Sequence, residues 1–178
     1  MFMSLIRKRR SIRRFLDQPV EKEKLDLLVE AGLRAPSSRG VNPWHFVVVT
    51  DRGMLERLAQ AKEHGSAFLK NAAAGIVGCA DASKSDVWVE DAAIATTIIH
   101  LAAASLDLGS CWIQIRERMH APQQTAEAYV AEQLRLPAAL KVEAIVALGY
   151  PDESKAAHAR ESLRDAQVHA GFYGTPYR

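Results

Sequence analysis

Residues 7–15, Arg-Lys-Arg-Arg-Ser-Ile-Arg-Arg-Phe, carry six basic side chains: Arg7, Lys8, Arg9, Arg10, Arg13 and Arg14. Such a run answers an anion: nucleic acid, a membrane surface or a phosphorylated cofactor. Arginine suits phosphate, because its planar guanidinium donates two parallel, charge-assisted hydrogen bonds. The distribution of charge narrows the choice. The 178-residue chain has a net charge of +2, and its first fourteen residues hold six positive charges and no acid, so the remainder sums to −4. A protein that coats nucleic acid spreads basic charge over a face, and this mildly acidic body argues against that class.

Other chemistries find no support in the spacing of residues. The six histidines (His45, His64, His100, His120, His158 and His169) form no HExxH and no paired ligand spacing, so no metal site is expected. His100 lies in an apolar stretch and reads as a core or interface residue. Neither a GxSxG elbow, a Walker motif nor a GxGxxG is present. Cys79 and Cys111, in Gly-Cys-Ala and Ser-Cys-Trp, read as two reduced thiols, which fits a cytoplasmic compartment. The basic run leads into Phe-Leu-Asp-Gln-Pro rather than an apolar segment, so no secretory leader is expected. The longest charge-free apolar run, Ala92 to Leu106, is fifteen residues, short for a bilayer span, and reads as a buried helix.

The elements that must position the arginines follow from periodicity. Ser4–Arg10 predicts a short helix with Leu5 and Ile6 inward. Glu21–Arg34 predicts a second, with Leu25, Leu28, Val29 and Leu33 at helical spacing. Residues 35–43, rich in Pro, Ser and Gly, form a loop. His45–Thr50, Ala73–Ala80, Ser110–Ile115 and Lys141–Leu148 read as four strands. Asp51 caps a helix reaching Glu63. Residues 87–108 form a central helix, apolar nearly all round, ended by Gly109. Pro122–Leu134 is an amphipathic helix with Pro in its first turn. This order gives one α+β domain over residues 1–178, a mixed sheet of four to five strands with helices on both faces. Residues 152–178 form a C-terminal extension of aromatic and Gly residues without a core pattern, docked on a partner subunit.

Taken in order, RRSIRRF (9–15), EAGLRAPSSRGVNPWHFVVV (30–49), LDLGSCWI (106–113) and LPAALKVEAIVALGYPDE (136–153) resemble the nitroreductase family of flavin-dependent oxidoreductases. The resemblance implies an FMN-binding homodimer that takes electrons from NADH or NADPH and passes them to nitro compounds, quinones or similar acceptors by ping-pong chemistry. Arg9, Arg10 and Ser11 would contact the FMN phosphate and ribityl chain, and Arg13 the pyrimidine edge of the ring. Pro36, Ser37 and Ser38 match a loop that reaches the flavin from the partner subunit, with Asn42 beside the ring. Trp112, Ile113 and Gln114 match the segment that passes the flavin N5. Gln114 and Ile115 depart from the acidic residue or glycine common there. Arg160 stands where the family often places a late basic phosphate ligand. Arg7, Lys8 and Arg14 read as solvated charges.

Such a site needs no side-chain nucleophile, because the protein supplies position and electrostatics to a bound ring. Two other readings stay open at this point: a flavin storage or redox-sensing protein with little turnover, and a specialised flavin-chemistry branch of the same fold. The FMN reading excludes nucleic acid and membrane as partners.

Overall fold

The computed structural model describes residues 2–177; residues 1 and 178, the ends of the expected domain and of its C-terminal extension, lie outside the described residues. Its centre is a four-stranded sheet in the order β1 (Trp44–Val49), β2 (Ala74–Asp81), β6 (Leu140–Gly149), β3 (Gly109–Gln114). Every ladder is antiparallel, and one isolated parallel bridge joins Ser11 to Ser110 at the β3 edge. β2 and β6 are buried over nearly their whole length, as continuous apolar runs covered on both faces should be.

On one face lie α2 (Lys22–Leu33) and α4 (Trp88–Ser105), whose Leu25, Leu28, Ile99 and Ala103 pack with Ile76, Val146 and Leu148. On the other lie α3 (Arg52–Ala59) and α5 (Ala126–Leu134), which bring Leu55, Leu58 and Val130 against Val77, Ile113 and Ile145. A bulge in the β2–β6 ladder leaves Glu143 unpaired between Val142 and Ala144. It therefore places Val142 and Ile145, three apart, in the same core layer.

Local chemistry explains the element ends. Asp51 caps α3 by accepting from the Met54 amide at 2.8 Å. That helix stops at Ala59 rather than Glu63. The segment Pro122–Leu134 is not one helix. Pro122 lies in the turn between two short strands, β4 (Met119–Ala121) and β5 (Gln124–Thr125), and Thr125 caps α5 by accepting from the Ala128 amide at 3.1 Å.

Gly109 does not end α4 either. The reversal is made by Asp107 at φ 59°, while Gly109 opens β3. Gly109 faces Gly149 across the ladder. A Cβ on Gly109 would lie 2.8 Å from Ile12, and one on Gly149 would lie 3.0 Å from Phe15. The two glycines form a seat for the apolar residues of the basic run. The N-terminal helix α1 (Phe2–Lys8) buries no residue; Leu5 is only half-buried and Ile6 is exposed, because its only substantial packing is against α4.

Candidate functional site

The run Arg9–Phe15 is extended, and two neighbours pin it. On one side the Ile12 amide donates to Ser110 O at 2.9 Å. On the other, Leu16 N donates to Tyr150 O and Asp152 N to Arg14 O, each at 2.9 Å, and Phe15 bridges Pro151. Glu153 then caps the arginines themselves: its Oε1 accepts from the Arg13 amide at 2.5 Å and the Arg14 amide at 3.3 Å. Those bonds hold the Glu153 carboxyl below its ordinary range. Lys155 completes the lock, with Nζ 2.7 Å from Ser11 O and 3.0 Å from Glu153. The Arg10 guanidinium reaches the carbonyl of Ala156. Segment 150–156 is therefore a brace that fixes the backbone of the basic run, so its side chains project from a rigid base.

Alternation along the run divides those side chains. Ile12 and Phe15 go inward, while Arg13 and Arg14 are exposed. Arg14 pairs with Asp152 at 3.3 Å. Arg13 lies over the Phe68 ring at 5.8 Å and close enough to Cys111 to act on its thiol. Burial raises the Cys111 thiol above its ordinary range, and Arg13, Lys155, the Ser11 hydroxyl and Lys62 oppose the shift. Lys62 donates to Gln114 O at 2.9 Å; burial, with Arg118 nearby, lowers its pKa. The charges of Arg13, Lys155 and Lys62, from three separate parts of the chain, thus all act on the Cys111 thiol of β3. Arg9 approaches the start of the same strand, 2.9 Å from His100.

Of the other expected site residues, Ser37, Ser38 and Asn42 form a second cluster. Ser37 Oγ donates to Asn42 Oδ1 at 2.7 Å and accepts from its amide at 2.9 Å. The Ser38 amide donates to buried Asp91 at 2.8 Å, which ties the loop to the first turn of α4. Arg39 and Asn42 hold left-handed φ of 54° and 51°, a strained geometry for side-chain-bearing residues that these bonds maintain. Pro36 is exposed beside them. No bond of this loop runs to the arginines of its own chain among the described residues.

The β3 residues divide by face. Trp112 turns to α4 and donates to Thr96 Oγ1 at 2.8 Å, Ile113 is buried in the opposite core layer, and Gln114 donates to Arg116 O at 2.9 Å. Ile113 can therefore offer a ligand only its backbone. Arg160 pairs with Asp165 at 2.7 Å within the C-terminal extension. Sequence reasoning did not single out Glu153, Lys155 or Lys62, and it read His100 as a core or interface residue. The Pro-Asp-Glu after the Gly-Tyr turn is the signal for the first; nothing in the local sequence marks Lys62 or His100.

Among the described residues no cluster of His, Cys, Asp and Glu could hold a metal, and no helix is long and apolar enough to cross a membrane. The donor set does fit a phosphorylated anion: several guanidinium and ammonium groups near Ser11, on a rigid strand edge.

The profile of the nitroreductase family matches residues 6–79 and 55–150. A relative from Archaeoglobus fulgidus, described provisionally as an NADH dehydrogenase/NAD(P)H nitroreductase, is 39% identical over 157 residues, 86% of this chain and 87% of its own. Among solved structures, an FMN-dependent nitroreductase from Clostridium difficile is 46% identical with a TM-score of 0.95, over 96% of this chain and 99% of its own. The NADPH:FMN oxidoreductase from Vibrio harveyi, solved with NAD+, is 28% identical with a TM-score of 0.80, over 97% of this chain and 77% of its own. With the pinned arginine run, the antiparallel sheet and these matches in place, the chain belongs to the nitroreductase family.

Proposed function

We propose that the protein is an FMN-dependent NAD(P)H oxidoreductase that works as a homodimer and reduces nitro compounds, quinones or similar acceptors by a ping-pong mechanism. The observation that carries this is the braced run Arg9–Arg13, which presents charge-assisted donors at the edge of β3. FMN, when bound, supplies the two-electron redox chemistry. Arg9, Arg10 and Ser11 hold its phosphate and ribityl chain. Arg13 stands at the edge of the ring, where its positive charge favours the reduced, anionic form. Trp112, Ile113 and Gln114 line its path with backbone groups. Pro36, Ser37, Ser38 and Asn42 reach it from the partner subunit, which is why their cluster stands apart in one protomer. Arg160 adds to the phosphate site when the extension docks.

The exposed apolar side chains suit a dimer. Leu27 and Leu33 on α2, Ile94 on α4, and Phe2, Met3 and Ile6 on α1 lie open in the single chain, on three helices that a second copy could cover. Free Cys79 and Cys111 are consistent with a cytoplasmic setting.

The test is the absorbance spectrum of the purified protein, followed by NADH and NADPH oxidation with a nitroaromatic or a quinone. A yellow protein that turns over with one donor supports the reading. Failure to take up added FMN overturns it, and tight FMN without turnover replaces it with a storage or sensing role.

A further inference from the structure

We propose that His100 is a positioning residue: a neutral acceptor that aims the Arg9 guanidinium at the cofactor phosphate without cancelling its charge. This rests on the reading that Arg9 meets the phosphate of FMN. Arg9 Nη1 lies 2.9 Å from His100 Nε2, and His100 Nδ1 lies 2.6 Å from Ser110 Oγ. Arginine carries donors only, so Nε2 must present its lone pair. The ring proton then sits on Nδ1 and donates to Ser110 Oγ. The Ser110 hydroxyl in turn points to the His100 carbonyl at 3.3 Å. Each proton in the chain has one place to go, and the tautomer is fixed.

Burial supports this assignment. His100 is 8% exposed and Ser110 3%. Burial first, and the charge of Arg9 second, push the imidazole down to about 4, so it is uncharged at neutral pH.

The choice of partner matters. A carboxylate facing Arg9 would orient it equally well, but would neutralise it. Among the described residues no carboxylate pairs with Arg9, although Arg14, Arg34, Arg39, Arg52 and Arg160 each have one. Arg9 is therefore half-buried and oriented, with its charge left over for an external anion. The backbone of Ser110 also bridges that of Ser11, so the strand that holds His100 in place is itself paired with the basic run.

Binding of FMN and of riboflavin to the cofactor-stripped full chain, read by flavin fluorescence quenching, tests the proposal. Riboflavin lacks the phosphate and reports the rest of the pocket. His100→Leu is expected to weaken FMN about tenfold, the loss of one hydrogen bond to a charged group, and riboflavin by no more than about twofold. His100→Gln should restore most of the FMN affinity, because its amide oxygen accepts from Arg9. Equal losses for both ligands, or none for FMN, overturn the proposal. If His100→Leu does not fold, Ser110→Ala, which removes the acceptor of the Nδ1 proton, must lower the FMN-to-riboflavin affinity ratio, and an unchanged ratio overturns it. A wild-type chain that takes up neither ligand overturns the cofactor reading itself, an outcome distinct from loss of the selective effect.

Discussion

Glu143 is a buried carboxyl, 3% exposed, whose Oε2 has no hydrogen-bond partner among the described residues. It is the extra residue of the β6 bulge, and the same bulge keeps Val142 and Ile145 in one layer. Burial raises its pKa, and Arg116 and Gln114 only partly compensate. A carboxyl with a raised folded-state pKa favours folding while protonated; that contribution is present below the ordinary carboxyl pKa and lost as pH rises through the folded value. At neutral pH Glu143 is therefore a cost. Glu143→Gln should stabilise the fold at pH 7 by about 1 kcal/mol, roughly 3 °C in thermal midpoint, with the gain vanishing toward pH 4. A lower midpoint at pH 7 would show that the ionised form has a structural role. The sequence offered no hint of this, since a Glu between Val142 and Ala144 looks like the solvent-facing member of an alternating strand. The arginines were legible for the opposite reason: charge density and a serine at fixed spacing survive without the fold. The contacts of His100 with Arg9 and Ser110 were not, because they exist only where the fold brings β3 and the basic run alongside α4.

At the scale of elements, four strands and their flanking helices were readable from apolar runs and caps, and Asp51 acts as its position suggested. Two punctuating residues misled. Pro122 suits a helix start, but also suits the β4–β5 turn, and pairing between strands decided the matter. Gly109 suits a helix stop, but its missing Cβ is used by Ile12. Gly109→Ala would place a methyl 2.8 Å from that side chain, so Ile12 must move and carry the basic run with it. The expected outcome is a loss of about 1–3 kcal/mol in urea unfolding, with a weaker FMN complex. Unchanged stability and FMN affinity would mean that the run has slack, contrary to its hydrogen bonding.

At the scale of the whole molecule, the part of the C-terminal extension beyond the brace is loosely anchored. Among the described residues the backbone hydrogen bonds of residues 159–177 close within that segment, and Leu163, Phe172, Tyr173 and Tyr177 are 51%, 83%, 93% and 63% exposed. Such aromatic exposure suits an arm laid on a second copy. Removing residues 157–178 leaves the brace at 150–156 intact. If the chain is the homodimer proposed above, this should shift it to monomer in light scattering at micromolar concentration, with the fold retained by circular dichroism, and a full-length chain that is already monomeric overturns the dimer itself. A truncated chain that stays dimeric would place the interface on α1, α2 and α4 alone.

The brace also has a consequence for biosynthesis. The arginines lie in the first fourteen residues, yet Tyr150, Asp152, Glu153 and Lys155 fix their backbone. During synthesis the run stays unbraced until β6 and residues 150–155, about 140 positions later, have been made and paired. The donors that would meet a cofactor phosphate are therefore set in place only once residues 150–155 have paired with the run.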